Sequence, residues 1–258
     1  MKEQNNRNES MIEGRNAVLE AFRSGKTVDK LYILDGCQDG PVLSILREAK
    51  KAGVMVDFVP KERLDHMSES GKHQGVVANL SAFRYSTVED ILAAAREKGE
   101  DPFVFILDGI EDPHNLGAII RTAEAAGAHG VIIPKRRGVG LTATVAKTSA
   151  GAVEYMPVVR VANIVSTIEE LKQKGLWIFC ADMDGKPWCS ADMGGPIGIV
   201  VGAEGSGVSR LTKEHCDFVV SLPMNGQVNS LNASVAAAIV IYEAVRQRSG
   251  LPAFTSNK

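Results

Sequence analysis

The sequence predicts an α/β protein built from two domains, and three features carry that prediction. Hydrophobic residues make up 45% of the 258 residues and charged residues 23%, which is ordinary for a globular chain with enough apolar material for one large or two small cores. Short runs rich in Val, Ile and Phe alternate with segments of helical periodicity. In the second half these runs are nearly continuous, as in strands buried on both faces of a parallel sheet.

The first predicted domain covers residues 10–83. A helix is predicted over "SMIEGRNAVLEAFRSG", because Ser10 and Glu13 have the spacing of a capping box and Val18 and Ala21 share one face. Strands are predicted at "KLYILDG", "VMVDFVP" and "HQGVVANLSAF", and a helix at "PVLSILREAKKAG". This alternation indicates a compact α/β module.

A linker and a helix are predicted over residues 84–100, where Ser86 and Glu89 again match a capping box. The second domain covers 101–250. Its predicted strands are "FVFILD", "GVIIP", "VEYMPVV", "LWIFCAD", "IGIVVG" and "DFVVSLP", with helices such as "NIVSTIEELKQKG" between most of them. The polar residues 1–9 are predicted to be a disordered tail, and 251–258 form a second tail.

Net charge, cysteine spacing and apolar runs show no feature typical of a strongly basic nucleic-acid binder, a zinc protein, a secreted protein or a membrane protein. The formal net charge of −2 gives no global sign of a nucleic-acid binder, although local patches matter more than the total. The four cysteines form no C-x-x-C pair and have no spacing typical of zinc. The start "MKEQNNRNES" has no apolar core of a signal peptide, and the longest apolar run is too short to span a bilayer. We therefore expect a cytoplasmic protein with no membrane partner.

The first junction with unusual residues is "ILDGIEDPHNLGAIIRTAEAAGA". Ligands of open α/β sheets bind at the carboxyl ends of strands, so the loops after strands are the places to search. Arg121 points about 150° away from the apolar stripe of the predicted helix, which by itself is typical of a solvated surface arginine. Asn115 is explained equally well as an N-cap. The apolar stripe consists of Leu116, Ile119, Ile120 and Ala123.

The second junction is "IGIVVGAEGSGVSRL". Its glycines match neither G-x-G-x-x-G nor the P-loop pattern, so neither nucleotide fingerprint is present. Gly202, Gly205 and Gly207 could still let the backbone approach a ligand closely. Glu204 lies among them in a predicted tight turn, where capping and a direct role in a site are both open.

The third junction is "SLPMNGQVNSLNASVAAAIVIYEA". Asn225, Asn229 and Asn232 precede a helix otherwise rich in Ala, Val and Ile, and asparagine is a poor helix former. One asparagine is explained as an N-cap, but three exceed what capping requires. Because this stretch also follows a strand, its polar groups are expected at the same sheet edge as Gly202.

In this order, "NLGAIIRTAEAAGA", "IVVGAEGSGVS" and "LPMNGQVNSLNASVAAAIVIYEA" resemble the three signature motifs of the SpoU (TrmH-like) family of SPOUT methyltransferases. The resemblance covers about residues 101–248. The first domain resembles the small L30e-like domain that binds the RNA substrate in many members. The resemblance implies methyl transfer from S-adenosylmethionine to a ribose 2′-hydroxyl of RNA without a metal. It also implies a homodimer and a C-terminal trefoil knot, which no residue pattern would have suggested.

The family motifs assign candidate site residues by position. The resemblance implies that the catalytic polar residues are Asn115, Arg121, Glu204, Ser230 and Asn232. It implies that the cofactor is held by Gly202, Leu222, Met224, Ser230 and Leu231. Asn225 and Asn229 are expected only to shape the loop. A guanidinium is a poor free base because it holds its proton very firmly, so we expect Arg121 to orient the hydroxyl and to stabilise developing alkoxide charge.

RNA binding requires basic side chains near the site. The densest basic cluster is "PKRRG", with Lys135, Arg136 and Arg137 just after a predicted strand. In the first domain the candidates are Arg15, Lys72 and Arg84.

Several functions remain open at this stage. The layout and the sequence "HQGVVA" resemble most the bacterial enzymes that methylate a guanosine of 23S rRNA. A tRNA guanosine methylase or an antibiotic-resistance rRNA methylase is the nearest alternative. A non-catalytic RNA-binding ribosome-assembly factor is an alternative of another class. A dinucleotide-dependent enzyme is disfavoured because the phosphate-binding fingerprint is missing.

Overall fold

The computed structural model describes residues 11–227 and 230–252, and its contacts divide the chain into two compact units. The first unit holds the chain up to Arg84 together with Gly140–Ala143. The second unit holds Tyr85–Val139 and the chain from Thr144. The predicted tail at 1–9 lies outside the described residues, as do Asn229 and all but the first two residues of the tail at 251–258.

The first unit is a small mixed sheet covered by helices. Its strands have the order β1-β4-β2-β3, in which only the β2–β3 pair is parallel. The side chains of Val18, Leu31 and Ile45 are fully buried in its main core. The described elements are β1 (Met11–Glu13), α1 (Arg15–Arg23), β2 (Val28–Leu34), α2 (Gly40–Lys51), β3 (Met55–Val59), α3 (Lys61–Met67) and β4 (Val76–Leu80).

The predicted start of the first helix is wrong. Met11–Glu13 is a strand that pairs with β4, and α1 begins at Arg15 after Gly14, whose φ of 89° is a left-handed value suited to glycine. Glu13 does not cap a helix. Its carboxylate accepts hydrogen bonds from the Ser68 hydroxyl and, at 3.0 Å, from the Ser70 N–H. Strand pairing over a long sequence distance therefore overrides the local capping pattern. Helix α3 was not predicted from the sequence.

The second unit contains a six-stranded sheet whose strands are all parallel, which confirms the predicted parallel sheet. The strand order is β10-β8-β9-β5-β6-β7. The elements are α4 (Val88–Lys98), β5 (Phe103–Asp108), α5 (Pro113–Ala125), β6 (Gly130–Pro134), α6 (Ala143–Thr148), β7 (Val158–Val161), α7 (Ile164–Gln173), β8 (Trp177–Pro187), β9 (Ile197–Gly202), α8 (Arg210–Glu214), β10 (Phe218–Ser221) and α9 (Ala233–Arg248).

Helices cover this sheet, as the nearly continuous apolar strands predict. One core combines strand residues such as Ile106 and Ile178 with Ile91 of α4 and Ile168 of α7. Helices α5 and α9 pack against each other. Every residue of β9 is buried. The trefoil knot stays a prediction.

Three local predictions in this unit require correction. The capping box at α4 consists of Thr87 and Asp90, because Ser86 forms a bridge to β7 and donates its N–H to the Val158 carbonyl at 2.8 Å. Helix α5 begins before Asn115, and Asp112 is its N-cap. The strand predicted at "VEYMPVV" begins only at Val158, since Ala152–Glu154 is a turn of 3₁₀ helix.

Candidate active site

The candidate site lies at the carboxyl edge of the six-stranded sheet. Strands β10, β8, β9 and β5 are consecutive neighbours and run parallel, so the loops after them meet at one edge. Asp108, the last residue of β5, is in register with Gly202, the last residue of β9. The three motif segments of the sequence therefore converge here.

The turn after β9 depends on a very close backbone approach. A Cβ atom at Gly202 would lie 2.1 Å from the carbonyl carbon of Gly207, which is far below any real contact. Ala203 and Gly207 exchange two backbone hydrogen bonds of 3.2 and 2.9 Å. Gly205 and Gly207 have φ values of 79° and 65°. The glycines thus make a tight loop that carries Glu204 at its tip.

Glu204 joins three segments that are far apart in sequence. Its Oε1 accepts hydrogen bonds from Asn115 Nδ2 at 3.1 Å, from Asn232 Nδ2, and from the Ala233 N–H at 3.3 Å. Asn232 Nδ2 also donates to Asn115 Oδ1 at 2.9 Å. We call Asn115, Glu204 and Asn232 the triad. The Glu204 carboxylate is engaged by three donors. One of them is the Ala233 N–H at the start of α9, where the helix dipole favours negative charge.

The Asn232 side chain has two structural tasks at once. Its Oδ1 caps α9 by accepting hydrogen bonds from the N–H groups of Ser234 and Val235 at 3.0 and 3.3 Å. Its Nδ2 belongs to the triad. The prediction of a helix cap is confirmed, whereas a catalytic role of Asn232 stays a prediction. Asn225 is exposed in the loop before it.

Asn115 is held by the packing of α5. It is only 7% exposed, in the first turn of the helix after the cap residue Asp112. Gly117 allows α5 to contact α6 directly, because a Cβ atom at Gly117 would lie 1.9 Å from Thr148 Oγ1. The Thr148 hydroxyl in turn donates to the Pro113 carbonyl at 3.3 Å. The glycine in "NLG" is thus a packing requirement that fixes the start of the helix.

Arg121 lies outside the triad. It is exposed on α5 and makes no hydrogen bond or ion pair with any other described residue. The structure does not bring its guanidinium into contact with Asn115, Glu204 or Asn232. Its five donors are consequently available to a ligand.

An open cavity below the turn is lined by all five residues predicted to hold the cofactor: Gly202, Leu222, Met224, Ser230 and Leu231. Most of the lining is apolar or backbone, with Val201 and Val220 at the base. Asp182 and Met183, just after the buried part of β8, also line the cavity, and the prediction missed them. The signal was present, since "LWIFCAD" ends in a carboxylate at the carboxyl edge of the sheet.

A second cleft adjoins the cavity across the turn and is lined by Asp108, Glu111, Asn115, Glu204 and Arg137. Glu204 lines both hollows. From the basic cluster "PKRRG", Arg137 reaches this lining, and its φ of 55° is a left-handed value uncommon for a residue other than glycine.

The other predicted RNA-binding residues are distributed over both units. Arg15 is engaged within its own unit, since its Nη2 lies 2.6 Å from Asp39 Oδ2 and its Nε donates to the Gln74 carbonyl at 3.0 Å. Lys72 and Arg84 are exposed, as is Arg136, whereas Lys135 is half-buried. RNA binding by these residues stays a prediction.

Neither a metal centre nor a membrane-spanning helix is present within residues 11–227 and 230–252. This part of the chain has no group of three or more His, Cys, Asp or Glu side chains arranged to hold a metal ion. It also has no helix long and apolar enough to cross a membrane.

Comparisons with known proteins match both units. The SpoU rRNA methylase family matches residues 102–242, and the RNA 2′-O ribose methyltransferase substrate-binding family matches 11–86. The Bacillus subtilis protein YacO, assigned to the TrmH family of tRNA/rRNA methyltransferases, is 48% identical over 92% of this chain and 95% of its own length.

Two solved structures resemble the whole chain or its larger part. The SpoU methyltransferase AviRb from Streptomyces viridochromogenes, in complex with AdoMet, is 26% identical with a TM-score of 0.59 over 93% of this chain and 90% of that chain. The A. aeolicus TrmH/SpoU tRNA modifying enzyme is 29% identical with a TM-score of 0.51 over 60% of this chain and 82% of that chain.

The triad can be tested by stability alone, with Asn232→Asp. The new carboxylate keeps the cap of α9 but replaces the donor to Glu204 by a second negative charge. We expect the free energy of unfolding to fall by about 1–3 kcal/mol at pH 7. The loss should shrink as the pH falls towards about 5, because protonation of one of the two carboxylates removes the repulsion between them.

The measurement is the thermal unfolding midpoint between pH 5 and 8. Asn232→Ser is the matched control, because serine caps the helix without a charge. Its stability deficit should change little with pH. The same pH dependence in both variants would show that Asn232 does not contact Glu204.

Proposed function

The chain belongs to the SpoU rRNA methylase family, and from this membership we propose that it transfers a methyl group from S-adenosylmethionine to a ribose 2′-hydroxyl of RNA. The proposed target is a guanosine of 23S rRNA, and the proposed place of action is the cytoplasm. The observation that carries the proposal is the triad, which stands between a cavity suited to the cofactor and a cleft open to a second substrate.

The residues around the cavity fit S-adenosylmethionine. The tight turn after Gly202 brings backbone groups to the cavity wall, where a side chain at position 202 would not fit. Leu222, Met224 and Leu231 supply apolar surface for an adenine ring, and Ser230 supplies a hydroxyl. When bound, S-adenosylmethionine supplies a methyl group on a positively charged sulfur. An oxygen nucleophile can attack that methyl carbon, with the sulfur as the leaving group.

The triad acts by positioning. Because three donors converge on Oε1 of Glu204, this carboxylate is a fixed support for the Asn115 and Asn232 amides. Methyl transfer requires the nucleophile in line with the bond that breaks, so a rigid frame between the two hollows contributes mainly through orientation. Asn115 on α5 and Asn232 at the start of α9 supply that frame.

Arg121 is the proposed contact to the reacting nucleotide. Its guanidinium makes no hydrogen bond with another described residue, and it can donate a fork of two hydrogen bonds to a phosphate or to the ribose oxygen. In this role it orients the 2′-hydroxyl and stabilises the negative charge that develops on its oxygen.

The domain organisation follows from the same proposal. Residues 10–83 bind the RNA substrate, 84–100 form a linker and helix α4, which packs into the second unit, and 101–250 carry out the transfer. A tRNA target is the second candidate, because the YacO relative is named as a putative TrmH family tRNA/rRNA methyltransferase and a structural neighbour is a tRNA modifying enzyme.

The test is methyl transfer from labelled S-adenosylmethionine into unmodified bacterial rRNA and, separately, into tRNA, with the modified nucleotide mapped. Label at a guanosine ribose of 23S rRNA is the expected result. Label only in tRNA would keep the chemistry and change the substrate. Label on a base and not on a ribose would contradict the proposed reaction.

In the same assay Arg121→Lys should lower kcat at least about tenfold, because lysine keeps the charge but lacks the planar fork. Arg210→Lys on α8 is the matched control, since this arginine is 90% exposed in its side chain and pairs only weakly with Glu214. Near-normal turnover of Arg121→Lys would remove Arg121 from the proposed role.

Replacing Lys135, Arg136 and Arg137 together by alanine should weaken RNA binding and flatten its dependence on salt. The slope of log Kd against log salt should fall by about 0.7–0.9 for each RNA phosphate that is no longer neutralised by a basic side chain. The matched control replaces Arg96, Lys98 and Lys174, which lie at the ends of α4 and α7. Each of these helices leads into the start of a strand, so the three residues lie at the opposite edge of the sheet. An equal slope in both triple variants would contradict the proposed RNA contact.

We also propose that the protein is a homodimer. Helix α9 buries Ala237, Ile241 and Ala244, yet Val235, Ile239 and Tyr242 remain 48%, 37% and 50% exposed. These three positions form one stripe, and exposed apolar stripes favour a protein interface. Light scattering at micromolar concentration should give twice the mass of the chain for the wild type and a shift towards the monomer for Ile239→Lys. A monomeric wild type would contradict the dimer.

A further inference from the structure

The cavity wall contains a carboxylate that the proposed reaction leaves without a role. The described lining residues include two acidic side chains, Glu204 and Asp182. Glu204 accepts hydrogen bonds from the other two triad residues and from the start of α9. Asp182 follows Ala181, which is in register with Val201, so Asp182 lies on β8 at the level of Gly202 on the neighbouring strand.

Asp182 is held by one oxygen, and its other oxygen lies near Gly207, which also lines the cavity. Its Oδ1 accepts the Met183 N–H at 2.7 Å and lies 3.4 Å from Lys213 Nζ. Its Oδ2 lies 3.4 Å from the place where a Cβ at Gly207 would stand, on the inner side of the tight turn. No described residue donates a hydrogen bond to Oδ2, and the side chain is 18% exposed.

Lys213 fixes this carboxylate from behind. The lysine, on α8, also forms a short ion pair with Asp184, two residues further along β8. The hydrogen bond that Lys213 donates to Asp184 raises the pKa of Lys213, and the same bond lowers the pKa of Asp184. One ammonium shared between two carboxylates leaves a net negative charge, so Asp182 remains a strong acceptor at its free oxygen.

We propose that Asp182 determines recognition of the cofactor by accepting hydrogen bonds from the paired ribose hydroxyls of its nucleoside at Oδ2. This inference rests on the proposed function, since it assumes that the cavity holds S-adenosylmethionine. A carboxylate at the end of a parallel strand is a common acceptor for ribose hydroxyls in nucleotide sites. The cofactor's ammonium is the poorer partner, because it would approach Lys213, which already lies at Oδ1.

The experiment measures binding by calorimetry for two ligands. S-adenosylhomocysteine has the ribose and the amino-acid ammonium, whereas 5′-deoxy-5′-methylthioadenosine has the ribose alone. Asp182→Asn should weaken both ligands by the same factor, about tenfold to a hundredfold. Asp184→Asn is the matched control, since it removes the other partner of Lys213 but is 69% exposed and does not line the cavity. It should change either Kd by less than about twofold.

Each other outcome overturns a distinct claim. If Asp182→Asn weakens S-adenosylhomocysteine alone, Asp182 binds the ammonium and the ribose assignment is wrong. If all three proteins bind both ligands equally, Asp182 has no part in recognition. A wild type that binds neither ligand overturns the proposed function itself, and the assignment with it.

A second measurement needs no substitution and therefore does not depend on the folding of a variant. The wild type should bind the 2′-deoxy form of methylthioadenosine about tenfold more weakly than the ribose form. Equal affinity for the two forms would overturn the assignment to the ribose hydroxyls.

Discussion

The site depends on the hydrogen bonds that converge on the Glu204 carboxylate. They connect the first turn of α5, the turn after β9 and the start of α9, which are separated by 89 and 28 residues along the chain. Each segment alone is an ordinary loop at the end of a strand. A charged acceptor that takes three N–H donors fixes their relative positions more firmly than neutral bonds would. The exposed position of Glu204 means that this rigidity is achieved close to solvent, where a substrate can reach it.

This arrangement requires glycine at specific places. The Glu204 carboxylate reaches both amides only because the turn from Ala203 to Gly207 folds back onto Gly202, and no Cβ fits at that point. Gly117 has the equivalent task on α5, where it lets the helix contact Thr148. Glycines in such motifs are usually explained by contact with a ligand. Here they are required first because two backbone segments approach each other closely, and the surface open to a ligand results from that approach.

The strands of the second unit could be predicted from the sequence, because nearly continuous apolar runs are local signals. Five of the residues that line its cavity were assigned by the resemblance to the family motifs and not by any local pattern. The helix start at Ser10 could not be predicted correctly, since pairing of Met11–Glu13 with β4 is a contact over more than sixty residues. Asp182 was missed for a related reason. Its position at the carboxyl end of a predicted strand places it on the same edge as the motifs, but it lies next to them because β8 stands between β9 and β10, and strand order is not readable from any single segment.

The second cleft is lined mainly by acidic side chains, which bears on how the proposed RNA substrate would be bound. Its described lining includes the carboxylates of Asp108, Glu111 and Glu204, and Arg137 is the basic residue that lines it. Such a lining does not attract a polyanion by itself, because the repulsion between each phosphate and the nearby carboxylates exceeds the attraction of one guanidinium. In the proposed function, the phosphates are attracted by basic groups outside this lining, such as Arg121 and the rest of the "PKRRG" cluster. The same proposal leaves the cleft to admit a single ribose, whose neutral hydroxyl is not repelled by the carboxylates around it.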